Sequence, residues 1–376
     1  AIATANSYKH QVEQRGFQHF AGGLEWNIAK IEESLPEICA IPQEEFSDWV
    51  LEEIFIDRSP RLMVPHLLEI VQRWSPDVII AEQFEFGGVI AAELLNLPCA
   101  RYHISYRFSA EILKRWSHLI DAVRTSFGLP AEPNCLNYHR CLDLCFMPPQ
   151  WLFPGVEDGG KNPSLIHFID PLGERIQADP PAWFEQFPSQ PTIYMNLGTV
   201  FKDQYAKIFD NTVEALREEP FNLIISLGNR EADVDRFGPL PKNIHIAPFF
   251  PHAETFGFIP HLDLLINHAG PNSVLEALSF GVPLLLFPLS ADQPAVTDIC
   301  INLGVAPSLP SSALRYEPDG MAMVNPPELT PALIRELVHE VMGNPTYRRA
   351  AKVLQHEFDA LPPIENAVEL LKQFVG

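Results

Sequence analysis

The feature that most constrains this chain is a rhythm, in which short aliphatic runs alternate with longer helical patterns on both sides of a proline-dense stretch. The chain opens on Ala1 to Ala5, a strand-like run that leads into the helix-like Asn6 to Arg15. A short run at Phe17 to Phe20 follows, then helical patterns between Leu24 and Trp74. Next come a strand at Asp77 to Ala81, a helix at Phe84 to Leu95, a strand at Cys99 to Ile104 and a helix at Ala110 to Phe127. From Pro148 to Pro191 prolines are too dense for a core, which predicts a linker. The rhythm then restarts with strands at Thr192 to Asn196, Asn222 to Leu227, Ile244 to Ala247, Asp263 to Asn267 and Pro283 to Phe287. Helices are expected at Gln204 to Glu218, Asn272 to Phe280 and Asp292 to Leu303. Three more close the chain, at Thr330 to Met342, Pro345 to Leu361 and Ile364 to Phe374, after an irregular insertion at Ser308 to Pro327.

Such βα alternation predicts an α/β fold with parallel sheets covered on both faces. A chain of 376 residues has room for two such domains, each doubly wound and Rossmann-like. The expected division is 1–170, a linker at 171–190, a second domain at 191–360, and a last helix at 361–376 packing back on the first domain. A hydrophobic share of 47% supplies real cores. The net charge of −22 repels polyphosphate backbones and anionic membrane surfaces, so nucleic acid is not an expected partner. No apolar run reaches the roughly 18 to 20 residues of a membrane span; the longest, Val282 to Leu289, is broken by Pro283 and Pro288. A cytoplasmic location is expected. The six scattered cysteines make no disulfide framework and suit a reducing compartment. Cys135, His139, Cys141 and Cys145 lie close enough for zinc, but they lack a second paired motif and run into Leu142, Leu144 and Phe146, so buried thiols are the preferred reading.

Open α/β sheets bind ligands beyond the carboxyl ends of their strands, so the chemistry should lie in the loops there. Two stand out. After Leu264 to Asn267 comes His268-Ala269-Gly270-Pro271-Asn272-Ser273, running into a helix that carries Glu276. A glycine turn at a helix start offers free N–H groups and the positive end of a dipole to an anion such as a phosphate. The second loop, Pro288-Leu289-Ser290-Ala291-Asp292-Gln293, sets an acid beside an amide, as needed to hold sugar hydroxyls. The plainer alternative makes Asn272 and Ser273 helix caps and His268 a structural ring.

Taken together, the run from His268 to Glu276, then Gly281-Val282-Pro283, Pro288 and Asp292-Gln293, resembles the donor-binding signature of the family 1 glycosyltransferases of the GT-B fold. Phe249-Phe250-Pro251-His252 resembles the opening of that signature, and Asn196-Leu197-Gly198-Thr199-Val200 resembles the family's turn beside the diphosphate. The resemblance spans nearly the whole chain. It implies two Rossmann-like domains facing a cleft, no cofactor, and UDP- or TDP-sugar as donor substrate. His268 would contact the α-phosphate. Gly270, Asn272, Ser273 and Thr199 would hold the rest of the diphosphate, Glu276 the ribose, and Asp292 and Gln293 the transferred sugar. Phe249, or alternatively Phe250, would stack on the nucleobase. The reaction implied is inverting transfer without a metal, because preorganised donors and a helix dipole meet the charge of the leaving diphosphate.

In the family a histidine after the first strand takes the acceptor's proton and an acid orients it. Ile79 to Phe84 resembles the run that bears the acid, which places Glu82 there, with the departure that the family has an aspartate. The histidine is not found. Ala1 to Ala5 resembles the family's second strand, so a segment of roughly 30 to 35 residues, one βα unit, is expected ahead of it. The other explanation is a remnant that binds nucleotide without transfer. The first is preferred, since losing a central strand would expose unpaired backbone. Bacterial-type members without an anchor act on small lipophilic acceptors such as macrolides and other polyketides, flavonoids or sterols. Phe84, Phe86, Tyr106, Phe108 and Trp116 are candidates to line such a pocket, or else ordinary core aromatics. A catalytically silent nucleotide-sugar-binding partner protein and a GT-B-fold sugar-nucleotide epimerase are the rival functions. No motif indicates an oligomeric state.

Overall fold

The computed structural model describes residues 1–26, 31–42, 45–107, 110–132, 140–151, 163–171, 179–198, 206–228, 232–316 and 322–376. They form two compact units. Residues 1–147, 155–169 and 362–376 make the first, and 148–154 with 170–361 make the second.

In the first unit β1 (Ile2–Thr4) and β2 (His19–Ala21), joined through α1 (Lys9–Gln14), pair in parallel. The short α2 (Ile31–Ser34) and α3 (Phe46–Trp49) and a wider π-type stretch at Val50–Arg58 lead into α4 (Ser59–Trp74). A second, four-stranded parallel sheet follows, in the order β3 (Ile79–Glu82), β4 (Cys99–His103), β5 (Leu142–Cys145), β6 (Ile166–Phe168). Helix α5 (Phe86–Leu95) follows β3 and α6 (Ala110–Ser126) follows β4. Gly88 lets α5 approach the sheet closely, since a Cβ there would stand 2.9 Å from that of Ala81. On the opposite face Ala100, Leu142 and Leu144 pack with Ala367, Leu370 and Phe374 of the last helix, α13 (Ile364–Val375).

The second unit is built on a five-stranded parallel sheet. Its strands are β7 (Thr192–Asn196), β8 (Asn222–Ser226), β9 (Ile244–Ala247), β10 (Leu264–Asn267) and β11 (Leu284–Leu286), in the order β11-β10-β7-β8-β9. Residues such as Ile193, Ile225, Leu264 and Ile266 are fully buried, as strands covered on both faces require. Each such side chain contributes roughly 1.5–3 kcal/mol. Helix α7 (Ala206–Leu216) buries Ile208, Phe209, Thr212, Val213 and Leu216, a spacing of three and four that turns one stripe to the sheet. Helices α8 (His252–Phe258), α9 (Pro271–Ser279) and α10 (Gln293–Asn302) each follow a strand. At the end, Thr330 caps α11 (Pro331–Gly343) by accepting from Leu333 N–H, and Asn344 caps α12 (Pro345–Asp359) by accepting from Thr346 N–H.

The structure departs from the sequence pattern in several places, among them β5 and α8, which the pattern did not offer. The proline-dense stretch is not one uninterrupted linker: Ile166–Phe168 is an edge strand of the first sheet, and residues 179–191 pack on the second unit. Three residues of strand among prolines are too few to give a period. The insertion at Ser308 to Pro327 contains an antiparallel pair, β12 (Leu314–Tyr316) with β13 (Ala322–Val324). Helix α5 begins at Phe86, two residues later than expected, because the Glu85 side chain caps it by accepting from Gly87 N–H. Cys99, Cys141, Cys145 and Cys300 are buried and stand outside any disulfide, and among the described residues no group of three His, Cys, Asp or Glu is arranged to hold a metal. Cys135 and His139 lie outside the described residues.

Candidate functional site

The last residues of the second sheet's strands, Leu286, Asn267, Asn196, Ser226 and Ala247, stand side by side in register. Two of them clasp each other. The Asn267 side-chain amide donates to the Asn196 carbonyl at 3.1 Å and to Asn196 Oδ1 at 2.7 Å. Its own Oδ1 accepts from Gly270 N–H at 2.9 Å, which folds the loop after β10 back onto its strand. Between them Ala269 is held fully buried in the left-handed region, at φ +66°. For a residue with a Cβ that conformation costs about 1–2 kcal/mol, so the surrounding contacts must impose it.

The clasp sets the His268 ring between two glycines. A Cβ at Gly198, whose φ is +75°, would lie 2.7 Å from His268 Nε2, and one at Gly270 would lie 2.5 Å from Cε1. The enclosure pushes the ring's pKa down to about 4, so at neutral pH His268 is an uncharged donor rather than a cation. Its Nδ1 is buried with no hydrogen-bond partner. Helix α9 starts directly beyond, with Gly270 at the capping position and no side-chain cap, and with Pro271 in its first turn. Asn272 and Ser273 are therefore not caps, and the orphan N–H groups of that turn remain available together with the positive end of the dipole. One N–H is spent differently than the motif suggests: that of Gly270 is taken by Asn267. One turn along, burial raises the Glu276 carboxyl to about 7. Its charge adds to the burial that raises Tyr194, against hydrogen bonds from Ser226 and Asn196 that pull the other way. Thr199 lies outside the described residues.

The loop after β11 is built by Gln293. Its Oε1 accepts from Leu289 N–H at 2.8 Å and from Ser290 N–H at 3.0 Å, so the amide's acceptor holds the loop and only its NH2 is left to donate. Ala291 is again left-handed, at φ +57°, and Asp292 is partly buried at the start of α10. Among the described residues the other two non-glycine residues with positive φ, Ser75 and Asn96, end helices; the two alanines have no such role.

The two phenylalanines after β9 part ways. Phe250 is 6% exposed and packs among Trp183, Tyr194, His245 and Phe258, which removes it as a nucleobase platform. Phe249 is partly exposed on the turn that carries it.

In the first unit Glu82 ends β3, and its Oε2 accepts from Phe84 N–H at 2.8 Å. Burial raises the nearby Glu85 carboxyl to about 7, with Glu82 adding to it, and burial with both carboxylates raises the Tyr102 hydroxyl to about 12. Of the expected pocket aromatics, Phe86, Tyr106 and Trp116 are buried, and Phe86 at 1% is a core residue. Phe84 is partly exposed beside Phe55, ring centres 5.5 Å apart, and Phe108 lies outside the described residues. Sequence reasoning missed the roles of Asn196 and Asn267, whose signal was a polar residue at the end of an otherwise apolar strand. It also missed the buried group of Arg101, His103 and Asp143, in which the guanidinium grips the carboxylate with two hydrogen bonds, of 3.0 and 3.1 Å.

Residues 211–373 match the family of the erythromycin biosynthesis protein CIII-like C-terminal domain. The chain is similar over 99% of its length to 4'-demethylrebeccamycin synthase of Lentzea aerocolonigenes, with 23% identity and 91% of that protein covered. It superposes on the calicheamicin glycosyltransferase CalG4 with a TM-score of 0.75 and 19% identity, covering 100% of this chain and 90% of that one. The glycosyltransferase VinC in complex with dTDP gives a TM-score of 0.70 at 20% identity, with 100% and 91% covered.

Proposed function

From the premise that this chain is a nucleotide-sugar glycosyltransferase of the natural-product type with the GT-B fold, we propose that it transfers a sugar from a UDP- or TDP-activated donor to a hydroxyl of a small lipophilic acceptor, with inversion and without a metal ion. The observation that carries this reading is the uncapped start of α9 beside a neutral His268 held between two glycines. Orphan N–H groups, a helix dipole and a ring N–H are what a diphosphate needs, and more so as it leaves with growing charge. Asn272 and Ser273 line that helix start. Glu276 accepts from the ribose hydroxyls, Asp292 and the Gln293 NH2 group hold the transferred sugar, and Phe249 stacks on the base.

The acceptor oxygen attacks the anomeric carbon, the bond to the diphosphate breaks, and the hydroxyl proton passes to a general base. In the family pattern that base is a histidine, and the part assigned to Glu82 is to orient it. The assay uses the whole protein. Incubated with UDP- and TDP-sugars, a lipophilic alcohol and EDTA, it should release nucleoside diphosphate and form a glycoside of inverted configuration. A sugar that only changes configuration points to an epimerase, bound nucleotide with no product to a binding protein, and loss of activity in EDTA contradicts metal independence.

A further inference from the structure

Phe249 sits on a turn, Pro248 to Pro251, between β9 and α8, and the proline-rich segment ahead of β7 fastens across both ends of it. Contacts along its length hold this segment to the rest of the second unit. Gly257 on α8 is approached so closely that a Cβ there would lie 2.5 Å from the Asp179 carbonyl oxygen. Trp183 stacks on His245 of β9 with ring centres 4.0 Å apart and planes within 5°, and on Phe250 at 5.5 Å. Its indole N–H donates to Glu254 of α8 at 2.7 Å. Farther on, the Asn222 side chain donates to the carbonyls of Pro188 and Gln190 at 3.0 and 3.1 Å.

Trp183 is the centre of the arrangement. It touches the strand before the turn through His245, the turn through Phe250, and the helix after it through Glu254. The two-proline turn carries Phe249 partly exposed and Phe250 buried, and the buried ring, which meets Trp183, anchors the turn. We propose that Trp183 is a positioning residue for the nucleobase: by clamping β9 to α8 it sets the angle at which Phe249 presents its face. The inference rests on the reading of Phe249 as the stacking platform. The proline-rich segment is on this account part of the donor site.

The test separates the base from the phosphates. Binding of UDP, TDP and inorganic pyrophosphate is measured by calorimetry for the wild type, Trp183→Ala, Trp183→Phe and Glu254→Gln. Stacking on a base contributes enough that a misplaced platform should weaken UDP or TDP by about tenfold in Trp183→Ala. Pyrophosphate, which has no base, should bind that variant as it binds the wild type. Trp183→Phe keeps a ring on His245 but has no N–H and should fall between, while Glu254→Gln keeps an acceptor and should stay near the wild type. Should Trp183→Ala fail to fold, Trp183→Phe decides the matter by the same comparison. Equal losses of UDP and pyrophosphate would mean general loosening, and unchanged UDP and TDP binding would mean no role; either overturns the proposal. A wild type that binds pyrophosphate and no nucleotide overturns the reading of Phe249 itself.

Discussion

At the scale of single residues, one cause moves two groups of the site in opposite senses. Burial holds His268 below its reference value and Glu276 above its own, because in each case it disfavours the charged form. The consequences for stability have opposite signs. Native His268 binds fewer protons than the unfolded chain between about pH 4 and 6.5, so its contribution grows as pH rises through that window. Native Glu276 binds more protons between about pH 4.5 and 7, so its contribution is lost as pH rises. The melting temperature of the wild type relative to Glu276→Gln should accordingly fall across that range; a flat difference would place the carboxylate in water. Motif spacing singles out His268 and Glu276 in the sequence. Their environment was not legible there, since the glycines that enclose His268 come from two loops far apart in the chain.

At the scale of elements, the loop after β10 depends on the Asn196–Asn267 clasp. Replacing Asn267 with leucine fills the space but orphans Gly270 N–H and the Asn196 side chain, and should cost about 2–4 kcal/mol in denaturant melts. Gly270→Ala is a cleaner probe of the site, because Gly270 has an ordinary φ of −64° and the atoms nearest the added Cβ are those of the His268 ring. It should weaken nucleotide binding by about 1–3 kcal/mol with a smaller change in stability, and equal binding would show that the ring takes no part. The five strands of the second unit's sheet and helices α9 to α12 were read to within two residues, as each is an apolar run bounded by breakers. What escaped were β5, β6, the β12–β13 pair and α8, strands of three or four residues and a helix of seven, too short to show their periods. The strapping of Trp183 also escaped, because proline density reads as linker whether or not its aromatics find a core.

At the scale of the whole molecule, a net charge of −22 opposes an anionic nucleotide sugar while the start of α9 attracts it. The long-range term is screened beyond about 10 Å at 0.1 M salt and the local one is not. Association of UDP or TDP should therefore speed up as salt is raised from about 10 mM to 150 mM, the reverse of steering by a basic cleft. The central claim is that the second unit holds a nucleotide on His268, Glu276 and the α9 start. Its most direct test is a thermal-shift titration with UDP, TDP, GDP and ADP. A ligand at about a hundred times its dissociation constant stabilises by roughly 2.7 kcal/mol, so UDP or TDP should raise the midpoint clearly and His268→Ala and Glu276→Ala should abolish the rise. A folded protein that no nucleotide stabilises would contradict the account.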